Sequence, residues 1–155
     1  MELTIHQALQ RGIAAHKAGK LDEAERLYRA ILQSQSSHPD ANHNLGVLAV
    51  SVNKVDVSLP FFKTALEANP KIEQFWLSYI NALIKTEKVD DARRVFADAQ
   101  QAGVTAAKLQ ISEKQLEFKL FPRSRIPQQE ISNPLHSHQG ELSAAIELRE
   151  IGRYK

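Results

Sequence analysis

The chain has 155 residues, with 20 lysines and arginines against 18 aspartates and glutamates, a formal net charge of +2 and no cysteine. The missing cysteine excludes a disulfide framework, a thiolate zinc site and a thiol nucleophile. The near-neutral balance, without a block of like charge, leaves no electrostatic footprint for nucleic acid or an anionic membrane. At 43% hydrophobic and 25% charged residues the composition is that of a globular chain. Met1-Glu2-Leu3-Thr4-Ile5-His6 lacks the basic-then-apolar pattern of a secretory signal. No run of 18 apolar residues offers a membrane span, so a cytoplasmic location without membrane contact is expected.

Side chains of like size return at a period of 34 residues, read from Gly12 to Gly46, which decides the architecture before any local propensity does. The first unit runs from about 5 to 38. Thr4 and Gln7 have the form of a capping box. Ala8, Leu9, Gly12, Ile13, Ala15 and His16 make a helical stripe, and Gly19 can take the positive φ that closes it. A second helix enters at Leu21 with Asp22, Glu23 and Glu25 at its positive end, and buries Ala24, Leu27, Tyr28, Ile31 and Leu32.

The second unit, about 39 to 72, opens with Pro39 in a first turn, where its missing N–H costs little. Gly46 lets the partner helix approach its backbone. Asn53 takes the turn position of Gly19, asparagine being tolerant of left-handed backbone. Pro60 is discordant. With Asp56 as the helix cap, the second helix of this unit is expected to begin late and to keep Pro60 at the end of its first turn.

The third unit, about 73 to 106, carries Trp76, Leu77, Tyr79, Ile80, Leu83 and Ile84, then Val89, Ala92, Val95, Phe96 and Ala99. Asp90 is the expected cap of its second helix and Gly103 the terminator. Glu87-Lys88 replaces the expected glycine, so that turn should be tighter or strained. Residues 105–120, with Leu109, Leu116 and Leu120 on one stripe, suit a capping helix over the last apolar face. Residues 121–140, with Pro122, Pro127 and Pro134, read as a linker. Residues 141–155 regain helical periodicity and read as the first helix of a further, truncated repeat.

The small residues Ala24, Ser58 and Ala92 are each followed four positions later by Tyr28, Phe62 or Phe96, so a close helix crossing sits beside a ring that fills the space next to it. Together with Trp76, Leu45-Gly46 and Pro70, these residues resemble the tetratricopeptide repeat family over about two-thirds of the chain. Departures are Ala8 and Asn42 at the tryptophan position, Ile80 for glycine, and Ser36 and Val104 for the closing proline. The resemblance implies an all-α, right-handed superhelical array of helix–turn–helix repeats whose first helices line a groove. It implies a non-catalytic module that binds a protein or peptide partner there.

Carried over from the family, the groove contacts are His6, Leu9, Ile13, His16 and Lys17 in the first unit. In the second they are Asp40, His43, Val47, Val50 and Ser51, with Asn44 placed where its side chain could also point inward, and in the third Gln74, Leu77, Asn81, Ile84 and Lys85. The set is mostly apolar with a polar rim, which suits an apolar helix or extended segment. A carboxylate clamp fits less well, because Leu9 and Ile13 stand where it needs lysine and asparagine.

No catalytic constellation, cofactor motif or phosphate-binding loop is present. His136 and His138 lie two apart without the three or four converging ligands a zinc site needs. Two further readings stand beside the interaction module. One is the recognition arm of a larger glycosyltransferase or sulfotransferase. The other is a self-assembling scaffold joined as a homo-oligomer through the helix at 141–151.

Overall fold

In the computed structural model the described residues are 2–105, Ala107 and Leu109. Among them six helices follow one another without a strand: α1 (Ile5–Lys17), α2 (Leu21–Ser34), α3 (Pro39–Ser51), α4 (Val55–Ala68), α5 (Glu73–Lys85) and α6 (Val89–Gln101). The chain is an all-α helical repeat array. Each first helix packs on its own second helix, α2 meets α3, α4 meets α5, and α1, α3 and α5 touch in succession. The expected capping helix beyond Leu109, the linker and the helix at 141–155 lie outside the described residues.

The turns inside the pairs share one construction. Gly19, Asn53 and Glu87 hold φ of 74°, 61° and 60°. The residue after each sends its N–H back to the preceding helix: Lys20 to the Ala15 carbonyl at 2.9 Å, Lys54 to Ala49 at 2.8 Å and Lys88 to Leu83 at 2.9 Å. This closure satisfies carbonyls that a helix end otherwise leaves open. It also makes each lysine the N-cap of the next helix, with no side-chain bond of its own.

The expected caps Asp56 and Asp90 are therefore corrected: each is the second residue of its helix. There the carboxylate meets the positive end of the helix dipole, which accounts for an acid at that position without a capping role. Lys20, Lys54 and Lys88 themselves repeat every 34 residues, a signal present in the sequence.

Glu87 alone among the three turn residues is poorly suited to left-handed backbone, because its Cβ crowds the following carbonyl oxygen. Glu87→Gly should raise stability by about 1 kcal/mol. A urea midpoint that does not move, or that falls, would show the turn is unstrained.

Pro60 is a second correction. α4 does not begin late but starts at Val55, so Pro60 sits inside the helix, one turn past the site of tolerance. The bond lost is the one to the carbonyl of Asp56, an exposed residue whose carbonyl water can serve.

The first two pairs cross where the first helix has no side chain. A Cβ at Gly12 would lie 2.6 Å from Cε1 of Tyr28, and one at Gly46 2.5 Å from Cε1 of Phe62. Ala24, Tyr28, Ala65, Ala92 and Ala99 are wholly excluded from solvent, as is Ser58, whose Oγ donates to the Val55 carbonyl at 2.6 Å. The third pair puts a fully buried Ile80 at the glycine position. Leu109 is also fully buried and joins the core formed by α4, α5 and α6.

Candidate functional site

The residues expected to line a groove fall on α1, α3 and α5, and the structure sorts them into distinct groups. Leu9 and Ile13 are half-buried against a core of Ala15, Ala24, Tyr28, Leu45 and Leu48. Leu77 and Ile84 are half-buried against the core of the last two pairs. His6 and Lys17 are exposed, while His16 and Asn44 are half-buried.

Five of the remaining eight residues converge, Asp40, His43 and Ser51 being the exceptions. Val47 and Val50 of α3 and Gln74, Asn81 and Lys85 of α5 line one open pocket of 270 Å³. Phe62, Ser78 and Ala82 complete its wall. These three were not among the expected groove residues. Ser78 was legible, because Gln74, Ser78, Asn81 and Lys85 step by four, three and four along α5, one helical stripe. Phe62 was not, since its period marks it as core and it serves both purposes.

The two walls differ in character. Val47, Val50, Phe62 and Ala82 are apolar, and the α5 stripe is polar and ends in a lysine at the helix C-terminus. Gln74 Nε2 donates to Ser78 Oγ at 3.3 Å. Among the described residues, the side chains of Asn81 and Lys85 have no hydrogen-bond or ion-pair partner.

Ser78 connects this wall to the second repeat through its Oγ, 2.9 Å from His43 Nε2. The His43 ring sits 4.8 Å from the centroid of Phe75 and 5.6 Å from that of Phe62, tilted to both. His43 is thus held between repeats rather than free in the groove. Burial lowers its pKa below the ordinary value, and Asp40, one turn earlier, opposes the shift.

The sign of the consequence follows from linkage. Above the unfolded value of about 6.5 both states hold a neutral ring and His43 contributes nothing. As pH falls through that value the unfolded chain takes up the proton first, and stability is lost until the folded ring is protonated too. The urea midpoint should therefore fall between pH 7 and pH 5 by more in the parent chain than in His43→Gln. Equal falls would show that His43 does not carry the effect.

Asn42 and Trp76 hold the starts of α3 and α5 in the same way. Trp76 Nε1 donates to the Pro70 carbonyl, six residues back, at 2.8 Å. Asn42 Nδ2 donates to the Ser36 carbonyl, also six back, at 3.0 Å, and to His38 at 2.9 Å. The departure from tryptophan at Asn42 thus keeps the bond that fixes the inter-repeat loop. Among the described residues one buried side-chain group has no such partner: the Tyr28 hydroxyl, whose pKa burial pushes up to about 12. Among the described residues no cluster of histidine, cysteine or carboxylates could hold a metal ion. No described helix is long and apolar enough to cross a membrane.

The tetratricopeptide repeat family model matches residues 9–71 and, overlapping them, 43–107. The chain belongs to the tetratricopeptide repeat family, whose repeats generally bind protein partners and are generally non-catalytic. No curated protein matches it in sequence.

Among solved structures, a point mutant of MamA is similar to it at 25% identity and a TM-score of 0.62, covering 76% of this chain and 66% of that one. This chain thus spans slightly less than two thirds of the length of that relative. A second structure, MamA MSR-1 C2, shares the fold at 22% identity and a TM-score of 0.54, covering 69% of this chain and 72% of its own.

Proposed function

We propose that this chain is a non-catalytic protein–protein interaction module that takes a partner segment on the face made by α1, α3 and α5. The observation that supports the reading is the pocket between α3 and α5. An apolar wall faces a polar stripe whose last two side chains are unpaired, an arrangement suited to docking a polypeptide. At 270 Å³ it lies below the roughly 300–1,000 Å³ of a small-molecule site and is of a size for side chains. On this reading Val47, Val50, Gln74, Asn81 and Lys85 contact the partner directly. His6, Leu9, Ile13, His16, Lys17, Asn44, Leu77 and Ile84 extend the face to either side.

The test uses the whole chain as bait in lysate of its native host. The double change Asn81→Arg with Lys85→Glu, at two exposed positions, should remove the captured partner while leaving helical circular dichroism and the urea midpoint unchanged. The counterpart change on the exposed face of α2, Arg29→Glu with Gln33→Arg, should leave capture intact. Capture that survives the first change, or is lost with the second, would refute the assignment of this face.

A further inference from the structure

The pocket between α3 and α5 restricts the chemistry of what fills it. Of its eight lining residues only Lys85 is charged, and no carboxylate is among them. Asn81 and Lys85 stand one turn apart on α5, so a single carboxylate can reach the carboxamide donor and the ammonium together. Both are exposed and have no partner of their own among the described residues. Directly opposite stand Val47, Val50 and Phe62, which ask for an aliphatic side chain.

The wall also restricts the conformation of the occupant. It is built wholly from helices, whose main-chain groups are already paired, so it offers no edge along which an extended peptide could add as a strand. Gln74 and Ser78 are engaged with each other, and Ser78 with His43. Two free polar side chains leave most of the main chain of an extended segment to be served by water, whereas a helix satisfies its own and loses none of those bonds on docking.

We propose, building on the docking face described above, that the pocket takes an acidic amphipathic helix of a partner protein. An aliphatic side chain enters between Val47, Val50 and Phe62, and an aspartate or glutamate one turn away rests on Asn81 and Lys85. The charge contact lies at the rim, so it sets partner choice and ionic-strength dependence more than total affinity.

The experiment uses three stapled 14-residue helical peptides, identical except that one leucine is followed four residues on by glutamate, glutamine or lysine. Each is titrated into the isotope-labelled whole chain at low salt and followed by amide chemical shifts. The glutamate peptide should bind about tenfold more tightly than the lysine peptide. Its shift changes should centre on Val47, Val50, Ser78, Asn81 and Lys85. Lys85→Glu should invert the order of the two charged peptides, and Lys85→Gln should bring them together.

Equal binding of all three peptides at the pocket, or an order that survives Lys85→Glu, overturns the acidic assignment and leaves the docking face standing. A proline-broken, unstapled glutamate peptide that binds as well as the helical one overturns the helical assignment. No shift at the pocket with any peptide counts against both this proposal and the docking face itself.

Discussion

Replacing Gly46 with alanine will destabilise the fold by about 2 kcal/mol, although the same exchange in an exposed helix would stabilise by up to about 1 kcal/mol. The sign is set at the α3–α4 crossing. The added methyl would stand 2.5 Å from Cε1, 2.6 Å from Cδ1 and 3.0 Å from Cζ of Phe62, so the ring or a helix has to move. Phe62 is 2% exposed and has the His43 ring on one side, so it cannot swing into solvent. Overpacking of this kind costs about 1–3 kcal/mol; a ring closed in on this many sides puts the clash near the top of that range, and alanine's helix preference of up to about 1 kcal/mol offsets it to about 2 kcal/mol net.

Phe62→Leu alone leaves a void and should cost about 1–2 kcal/mol. In combination, the smaller side chain makes room for the methyl. The double change should therefore fall short of the summed single effects by at least about 1 kcal/mol. Urea unfolding of the four chains measures this directly. Additivity within about 0.5 kcal/mol would mean that the two residues do not compete for one volume.

The same crossing explains why the architecture was legible in the sequence. Gly12 with Tyr28, and Gly46 with Phe62, are size pairings that only a close approach of two helices requires, and they recur at the period that sets the pairs. The caps were misread for a physical reason. Asp56 and Asp90 carry the chemistry of an N-cap, but the left-handed residues Asn53 and Glu87 fix the next lysine by its own N–H. The helix must then start one residue ahead of the acid.

The candidate site was legible in part. Val47, Val50, Gln74, Asn81 and Lys85 follow from the groove positions that the family resemblance implies, and these five line one pocket. Whether Leu9, Ile13, Leu77 and Ile84 meet a partner or the neighbouring helix depends on how closely successive pairs pack. Periodicity within one helix carries no information on that. Phe62 shows the limit most clearly, since one ring closes the α3–α4 crossing and also forms a wall of the pocket.

Asn42→Asp will be the most damaging conservative change at the junction of the first two repeats, costing about 3 kcal/mol at pH 7. Asn42 is 3% exposed, and its amide gives two hydrogen bonds, to the carbonyls of Ser36 and His38. A carboxylate of the same shape would turn an acceptor and a negative charge toward two carbonyl oxygens. The folded state then holds the acid above its ordinary value of about 3.9.

Linkage gives the pH signature. Near pH 4 and below, the protonated acid can donate one of the two bonds and much of the loss returns. As pH rises, the unfolded chain gives up the proton first and the loss grows until the folded group ionises. Asn42→Leu, which removes the amide without adding charge, should cost about 1–2 kcal/mol with no such recovery in acid. Comparing the two variants with the parent chain at pH 4 and pH 7 separates these effects. If Asn42→Asp proved no worse than Asn42→Leu at pH 7, the amide would not be what ties the α2–α3 loop to the start of α3. The position of Val47 and Val50 opposite α5 would then have to rest on packing alone.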